Sequence, residues 1–461
     1  MKQGESQQQA GSGTGPLAGR HIVSIFDLSN AEMQGIFRLA DRFLLSLQEG
    51  PLSLVRRPRR RRGKRPIEAP GSTGRLCAGQ VLATVFFEPS TRTRLSFESA
   101  MHRLGGRVIS VADPRSSSAA KGERLADTIR VIASYADAIV LRHPNEGAAL
   151  LAAETLDEER LAELGRRVPV INGGDGAHEH PTQTLCDLYT LKREHGKIAG
   201  LYVALCGDLL HARTVHSLAY GLARFGASVR CISPPELRLP RYVKRRLEAE
   251  FNCVPAEYDS FGDLAAPEAP HAVSAAQKRR ARAARKLVAD EDVVQAVGRS
   301  LDAIYVTRIQ TERFSDPEQA RGLRGSYVIG ADLLRRIGKH TTIMHPLPRV
   351  DEVEYAVDAD TRAAYFRQAS YGVPIRMALI ALLLGKKRLG RSGKERAALA
   401  ARAGERAVEW IAGMECANPT CITNHEPGAR ARMERLGDTG VLRCAYCEHE
   451  MPASAGREGG W

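Results

Sequence analysis

The chain has 461 residues, 43% hydrophobic and 26% charged, a globular balance with material for roughly two to four domains. The longest obvious apolar run, residues 377–384, falls well short of the roughly 18 residues that a membrane span needs. The formal net charge of +14 is confined to two stretches without an acid, residues 56–65 with eight basic residues and 278–286 with six, which weakens the case for a broad nucleic-acid surface.

Residues 1–20 read as a disordered tail, polar and rich in Gly, Gln and Ser, with no apolar signal segment. Ser29 is an N-cap for a helix predicted over residues 31–47. Residues 49–75 form a basic insertion with Pro and Gly. An alternation then begins: strands at 81–87, 107–111, 138–141 and 168–171, with helices at 91–104, 123–135 and 181–194. After Gly200 it restarts, with strands at 201–206, 228–232, 303–307 and 341–344 and helices at 214–225 and 241–251. Residues 259–289 read as a second insertion, residues 374–384 as a last helix and residues 389–405 as a linker. Strands alternating with helices predict an α/β protein with two doubly wound parallel-sheet domains. Both basic stretches read as solvated insertions; a contact to a polyanion is the alternative, although neither carries aromatics for base stacking.

Five of the nine cysteines are scattered in or near apolar segments, as buried thiols in a reducing, cytoplasmic compartment would be. The other four are paired. Four residues separate Cys416 from Cys421, two separate Cys444 from Cys447, and 22 lie between the pairs. Close pairs on tight turns supply four thiolates to a tetrahedral ion, the closed geometry of structural zinc. Disulfides or free thiols are the alternative.

Phe86-Phe87-Glu88-Pro89-Ser90-Thr91-Arg92-Thr93-Arg94 follows a predicted strand and opens a predicted helix. Helix N-termini present unpaired N–H groups and partial positive charge. Hydroxyls at Ser90, Thr91 and Thr93 add donors, and Arg92 adds a forked permanent cation. The combination suits a phosphate; an ordinary N-cap with an ion-paired helix face is the plainer alternative.

This motif resembles the carbamoyl phosphate motif of the aspartate and ornithine carbamoyltransferases. Arg142-His143-Pro144, His180-Pro181-Thr182-Gln183 and His345-Pro346-Leu347-Pro348-Arg349 follow in the same family's order. The resemblance runs from about residue 20 to 388, apart from the insertions. It implies a carbamoyl phosphate-binding domain over residues 21–190, completed by a C-terminal helix at 370–388, and an aspartate-binding domain over 191–369. Leu347 and the stretch Tyr305 to Arg313 resemble the aspartate-type form rather than the ornithine-type form. Aspartate's two carboxylates ask for cations, which Arg213 and Arg308 can supply as bidentate clamps. Another amine acceptor such as ornithine is the alternative, as is a non-catalytic, zinc-containing polyanion-binding protein.

The implied reaction moves the carbamoyl group of carbamoyl phosphate to L-aspartate, an early step of pyrimidine biosynthesis, with no catalytic cofactor. By the same resemblance Ser90, Thr91, Arg92 and Thr93 hold phosphate. Thr93, Arg142 and His180 face the carbonyl oxygen, and Gln183 with the backbone of Pro346 and Leu347 holds the carbamoyl amide. Arg213, Arg308 and Gln310 bind aspartate. Ser117 and Lys121 lie in a stretch that resembles the family's mobile loop, which reaches a neighbouring subunit's site, Lys121 also toward aspartate. That implies a homotrimer or a multiple of trimers; other pyrimidine-pathway enzymes are further candidate partners, a membrane is not. One departure stands out: Leu210-His211-Ala212 replaces the Lys-Tyr-Gly of many bacterial relatives before Arg213. Finally, residues 406–455 resemble the zinc domain of the regulatory chain of bacterial aspartate carbamoyltransferase, on Cys-Ala-Asn-Pro-Thr-Cys-Ile and Cys-Ala-Tyr-Cys-Glu. The short linker implies a fusion without the nucleotide-binding domain of the two-chain enzymes, holding one structural zinc per chain.

Overall fold

The computed structural model describes residues 17–49, 73–111, 121–157, 166–261, 301–314, 323, 327–389, 410–412, 414–437 and 439–453. Both basic stretches, Ser117, residues 390–405 of the linker and residues 406–409 at the start of the zinc domain lie outside the described residues. The described chain divides into two units, residues 1–182 with 373–461, and residues 183–372.

The first unit holds a parallel sheet of β1 (Val81–Phe86), β2 (Arg107–Val111), β3 (Ala138–His143) and β4 (Val170–Asp175), in the order β2-β1-β3-β4. β1 and β3 are nearly continuous apolar runs and are buried along almost their whole length, as strands covered on both faces must be. Helices α1 (Asn30–Glu49), α2 (Thr91–Arg103), α3 (Leu125–Tyr135) and α4 (Ala148–Asp157) accompany the sheet. The sequence reading passed over α4, whose Ala-rich stretch is buried at Ala148, Ala149, Ala152 and Ala153 and so shows no polar face to betray its period. Residues 17–20 correct the expectation of a loose tail out to residue 20. Leu17 is buried, and the Gly19 N–H donates to the Leu383 carbonyl over 2.8 Å.

Helix α5 (Pro181–His195) carries the chain into the second unit. Its parallel sheet comprises β5 (Tyr202–Cys206), β6 (Ser228–Ile232), β7 (Ala256–Tyr258), β8 (Ala303–Val306) and β9 (Thr342–Met344), in the order β7-β6-β5-β8-β9. Helices α6 (Arg213–Arg224), α7 (Arg241–Phe251) and α8 (Ala331–Arg336) belong to it, and α9 (Tyr365–Leu383) leads back to the first unit. The short β7 and α8 went unforeseen. α9 starts nine residues before the predicted Pro374, which lies inside the helix. Proline there costs the helix about 3 kcal/mol; the burial of Tyr365, Gln368, Ile375, Met377 and the apolar turns that follow overrides that local preference.

Both sheets change direction once. Strands β1 and β2 run one way, and β3 returns to the far side of β1; β5, β6 and β7 run one way, and β8 returns to the far side of β5. In open parallel sheets such a switch leaves a crevice at the carboxyl ends of the two central strands, where ligands bind.

The four cysteines accompany a small antiparallel sheet within the first unit, Cys444 at the end of a strand and the other three outside the strands: β10 (Trp410–Ala412), β11 (Arg432–Arg435), β12 (Val441–Cys444) and β13 (Glu450–Pro452), in sequential order. Its core is continuous with that of the parallel sheet. Ile422, Met433, Leu442 and Tyr446 share one apolar cluster with Leu125, Ile129, Ala148 and Ala152. Gly147, with φ at +82°, shows how closely the two parts approach, because a Cβ there would lie 2.6 Å from the Tyr446 Cβ.

Candidate active site and metal centre

In the first unit the chain leaves β1 at Phe86 and begins α2 at Thr91, so Glu88 to Ser90 form the strand-to-helix turn. Ser90 is the N-cap with extended backbone, and its hydroxyl makes no capping bond. The orphan N–H groups of the first turn therefore lack the usual side-chain cap. Ser90 is half-buried and Thr91 and Arg92 are exposed, while Thr93 is buried.

The register Phe86↔Arg142 places Arg142 beside the end of β1. Its guanidinium is fixed from two sides: one amino group lies 2.7 Å from Glu88 Oε2, and the other donates to the Gly173 carbonyl over 3.1 Å. His180 is buried, with Nε2 3.4 Å from Thr93 Oγ1 and Nδ1 3.5 Å from Thr182 Oγ1. Arg376 donates to Thr182 Oγ1 over 3.4 Å and lies over the Phe97 ring at 4.9 Å. Thr93, Arg142 and His180 thus come from three elements and are all buried. Together they offer a hydroxyl, a guanidinium and an imidazole near a helix N-terminus, groups that stabilise a developing oxyanion. Glu88, part of the motif but given no role in the sequence reading, is the counter-charge of Arg142. Lys121 lies exposed four residues before α3.

In the second unit the register Cys206↔Val306 sets the ends of β5 and β8 side by side. Gly207 has φ at +106°, and a Cβ there would come within 2.3 Å of the Thr307 carbonyl oxygen; the two strand exits need a glycine at that point. Asp208, fully buried, accepts from the His211 N–H at 2.9 Å and from the Gln310 N–H at 3.1 Å. That ties the loop carrying Arg308 and Gln310 to the loop that leads into α6. Arg213 is the first residue of α6 and is buried. Arg308 and Gln310 are half-buried, and Gln310 Oε1 accepts from Arg313 Nε over 3.2 Å.

Leu347 has φ at 57°, and the Leu347–Pro348 peptide is cis. The Leu347 N–H donates to His345 Nδ1 over 2.7 Å, and His345 Nε2 lies 2.7 Å from Glu352 Oε1. Burial acts to raise the Glu352 carboxyl, but the His345 hydrogen bond and charge outweigh it and hold it below its ordinary value. The His345 N–H donates to Gln368 Oε1 over 2.9 Å. Gln368 in turn donates to Asp187 Oδ1, as does Gln183, each over 2.7 Å, and the Tyr305 hydroxyl donates to Oδ2 over 3.0 Å. Gln183 and the Pro346–Leu347 backbone are therefore linked through Asp187, Gln368 and His345. The sequence reading gave His345 no role of its own; the structure makes it a brace for Leu347.

The four cysteines converge. One Sγ from each of Cys416, Cys421, Cys444 and Cys447 lies within 4.8 Å of the others, and all four side chains are buried. Cys416 and Cys447 stand 3.5 Å apart, Cys421 and Cys444 3.8 Å. Metal–sulfur bonds of about 2.3 Å in a tetrahedron place sulfurs about 3.8 Å apart, so the donors fit one metal ion. Hydrogen bonds from Cys416, Cys421 and Cys447 drive the Cys444 thiol far below its ordinary value. The Asn418 side chain shapes the first turn, accepting from the Thr420 N–H at 3.1 Å, while the Asn424 amide closes it on the Cys416 carbonyl at 2.9 Å.

The module is joined to the parallel sheet through backbone and carboxylates. The Glu146 N–H donates to the Thr420 carbonyl over 3.0 Å, and the Ile422 N–H to the Glu146 carbonyl over 2.9 Å. Glu426 accepts from the Leu125 and Ala126 N–H groups, each at 3.2 Å, satisfying two orphan donors at the start of α3. Glu154 pairs with Arg432 and accepts from the Tyr446 hydroxyl over 2.8 Å.

Comparison with known proteins agrees with these parts. Residues 20–193 match the family described as aspartate/ornithine carbamoyltransferase, carbamoyl-P binding domain, and residues 199–383 its Asp/Orn binding domain. Residues 408–455 match the metal binding domain of the aspartate carbamoyltransferase regulatory chain. The catalytic subunit of aspartate carbamoyltransferase from Thermoplasma acidophilum is 43% identical over 369 residues, which cover 80% of this chain and 99% of that protein. The subunit from Methanopyrus kandleri is 48% identical over 316 residues, covering 68% of this chain and 88% of that one. Among solved structures, Trypanosoma cruzi aspartate transcarbamoylase in complex with carbamoyl phosphate and aspartate aligns with a TM-score of 0.62 at 31% identity, over 80% of this chain and 96% of that one. The M. jannaschii catalytic subunit aligns with a TM-score of 0.60 at 41% identity, over 79% of this chain and 98% of that chain.

Proposed function

The chain belongs to the aspartate carbamoyltransferases of the aspartate/ornithine carbamoyltransferase family, and from that membership we propose that it transfers the carbamoyl group of carbamoyl phosphate to L-aspartate. The products are N-carbamoyl-L-aspartate and phosphate, a step of pyrimidine synthesis in the cytoplasm. The observation that carries the reading is the grouping at the β1–β3 switch: an uncapped helix N-terminus with buried Thr93, Arg142 and His180.

The neutral amine of aspartate attacks the carbonyl carbon, forming the C–N bond. Electrons move to the carbonyl oxygen, then return as the bond to the phosphate oxygen breaks. The amine's proton leaves with the departing phosphate. Ser90, Thr91, Arg92 and Thr93 hold phosphate, and Thr93, Arg142 and His180 stabilise the oxyanion. Gln183 and the backbone of Pro346 and Leu347 hold the carbamoyl amide, and Arg213, Arg308 and Gln310 hold the carboxylates of aspartate. This chemistry asks for orientation and charge stabilisation, not for a protein nucleophile.

The four-cysteine metal is zinc, one per chain, and structural, because four thiolates leave no open position. The working assembly is a trimer or a multiple of trimers in which Ser117 and Lys121 of one subunit complete the site of the next. Two experiments test the proposal. Protein incubated with carbamoyl phosphate and aspartate should form carbamoyl aspartate, while ornithine should give no citrulline; the reverse outcome sinks the acceptor assignment. Hybrids of Lys121→Ala and Arg92→Ala chains should recover part of the activity that each variant lacks, and inactive hybrids would exclude shared sites.

A further inference from the structure

Where the cysteine module meets the sheet of the first unit, three titratable side chains that the carbamoyl transfer does not use face one another. One ligand atom each from His178, Glu179 and Glu448 lies within 4.8 Å of the other two. His178 and Glu179 are buried and Glu448 half-buried. We propose that these three side chains form a second divalent-metal site, separate from the four cysteines.

The arrangement around the imidazole points to an ion. His178 Nδ1 lies 3.3 Å from Asp175 Oδ2, so in the neutral ring, the form that a metal ion binds, an Nδ1–H faces a carboxylate and Nε2 keeps the lone pair. Asp175 is itself fixed, Oδ1 accepting from the Asn172 amide at 2.9 Å and from the Glu179 N–H at 3.2 Å, and Oδ2 from the Gly147 N–H at 2.9 Å. A carboxylate that orients a histidine in this way is the usual outer support of a metal ligand. Nε2 is buried and has no hydrogen-bond partner among the described residues. It faces Glu448 Oε2 at 3.7 Å, too far for a hydrogen bond. Two ligands about 2.1 Å from a shared tetrahedral ion stand about 3.4 Å apart, a few tenths of an ångström less than this spacing.

Glu179 is held in place from behind, its two oxygens accepting from the Ser24 hydroxyl at 2.6 Å and the Ile25 N–H at 3.0 Å; each oxygen keeps a second lone pair for an ion. Glu448 follows Cys447 with φ at 59°, and its N–H donates to the Cys444 carbonyl over 3.0 Å. The turn that carries two of the thiolates therefore also aims this carboxylate. One imidazole and two carboxylates suit a borderline first-row ion such as Zn²⁺. Glu179 and Glu448 bring two carboxylates together beside a single imidazole. A divalent cation would relieve that concentration of negative charge. It would also fasten the module to the stretch from Asp175 that runs directly into His180.

The competing account is a protonated His178 bridging Asp175 and Glu448 with no metal, and the metal count separates the two. After equilibrium dialysis at fixed micromolar free Zn²⁺, the full chain should hold two zinc ions, and His178→Asn and Glu448→Gln should each hold one. In Co²⁺ titrations the first equivalent should develop the intense thiolate charge-transfer bands of the cysteine site. A second equivalent should add only weak visible bands, and only in the unsubstituted chain. A single equivalent of either metal in the unsubstituted chain overturns the proposal, as do two equivalents in both variants. Should Glu448→Gln disturb the neighbouring cysteines and lose the thiolate bands, His178→Asn still makes the assignment.

Discussion

At the β1–β3 switch the residues of the candidate site stand directly at strand ends and a helix start, within three short contiguous stretches: Glu88 to Thr93, Arg142 beside its strand partner Phe86, and His180 just before α5. At the β5–β8 switch and the nearby Pro346–Leu347 turn the supports come from farther along the chain. Asp208 holds the Gln310 backbone across 102 positions, and Asp187 reaches Gln368 across 181. Both crevices follow the same topological rule, yet one is a local motif and the other a long-range network. A local motif places charge at the reacting group with little help from the rest of the unit. A network places backbone, so its members matter for shape before they matter for chemistry.

That contrast makes unequal demands on mutagenesis. Arg142→Ala removes the cation proposed to stabilise the oxyanion while leaving the strand intact, since Arg142 is the fifth of six residues in β3. Turnover should drop by roughly 10²–10³-fold. Unfolding temperature should fall by no more than a few degrees, because of the two lost partners Glu88 is half-buried and near solvent, leaving the Gly173 carbonyl as the one buried group without its donor. Near-normal turnover in a folded Arg142→Ala protein would remove the residue from the mechanism and with it the idea that the β1–β3 crevice is the chemical half.

Asp187→Asn tests the network instead. The carboxylate accepts from Gln183, Gln368 and Tyr305, whereas an asparagine amide presents two hydrogens to a pocket built of donors. A buried mismatch of this kind costs about 1–3 kcal/mol, or roughly 2–12 °C in unfolding temperature for a unit of this size. Activity should fall by roughly tenfold or less at temperatures where the protein stays folded, as the Leu347 turn loosens. If the variant instead kept its stability and lost as much turnover as Arg142→Ala, the distinction between chemical motif and positioning network would collapse.

The same contrast accounts for what was legible in the sequence. The alternation of strands and helices predicted both sheets, because parallel strands buried on both faces must be written as short apolar runs between helices. The four cysteines announced their cluster through spacing alone. α4 escaped because its residues 148–153 are all apolar, four of them buried and Leu150 and Leu151 partly so, and α9 was cut short because Pro374 is a strong local stop that tertiary packing overrules. Glu88 was printed within the motif, but a lone glutamate says nothing of its partner. Asp187, Gln368 and Glu352 carry no local signal at all, since their meaning lies in contacts made only once the sheet is formed. His178 and Glu179 sit in plain view two residues and one residue before His180, and only the folded chain brings Glu448 to them.

The smallest expected effect concerns acidity at the joint of the first unit, one residue beyond Arg142. His143 packs edge-on against Phe87 at 5.1 Å, and its Nδ1 accepts from the Asn145 N–H over 3.0 Å. Burial, opposed in part by Asp175 and Glu88, lowers its pKa from 6.5 to about 4. Between those values the unfolded chain binds a proton that the folded chain refuses. Stability attributable to this ring is therefore fully present above pH 6.5 and drains away as the pH falls toward 4, with a slope of at most about 1.4 kcal/mol per pH unit. His143→Gln keeps an acceptor for Asn145 and removes the titration. Unfolding temperature plotted against pH should be shallower for the variant than for the unsubstituted chain within that window, and parallel outside it. Because the comparison subtracts every other group, including His178 and Glu179 nearby, parallel curves throughout would mean that the folded ring takes up its proton as freely as an exposed one.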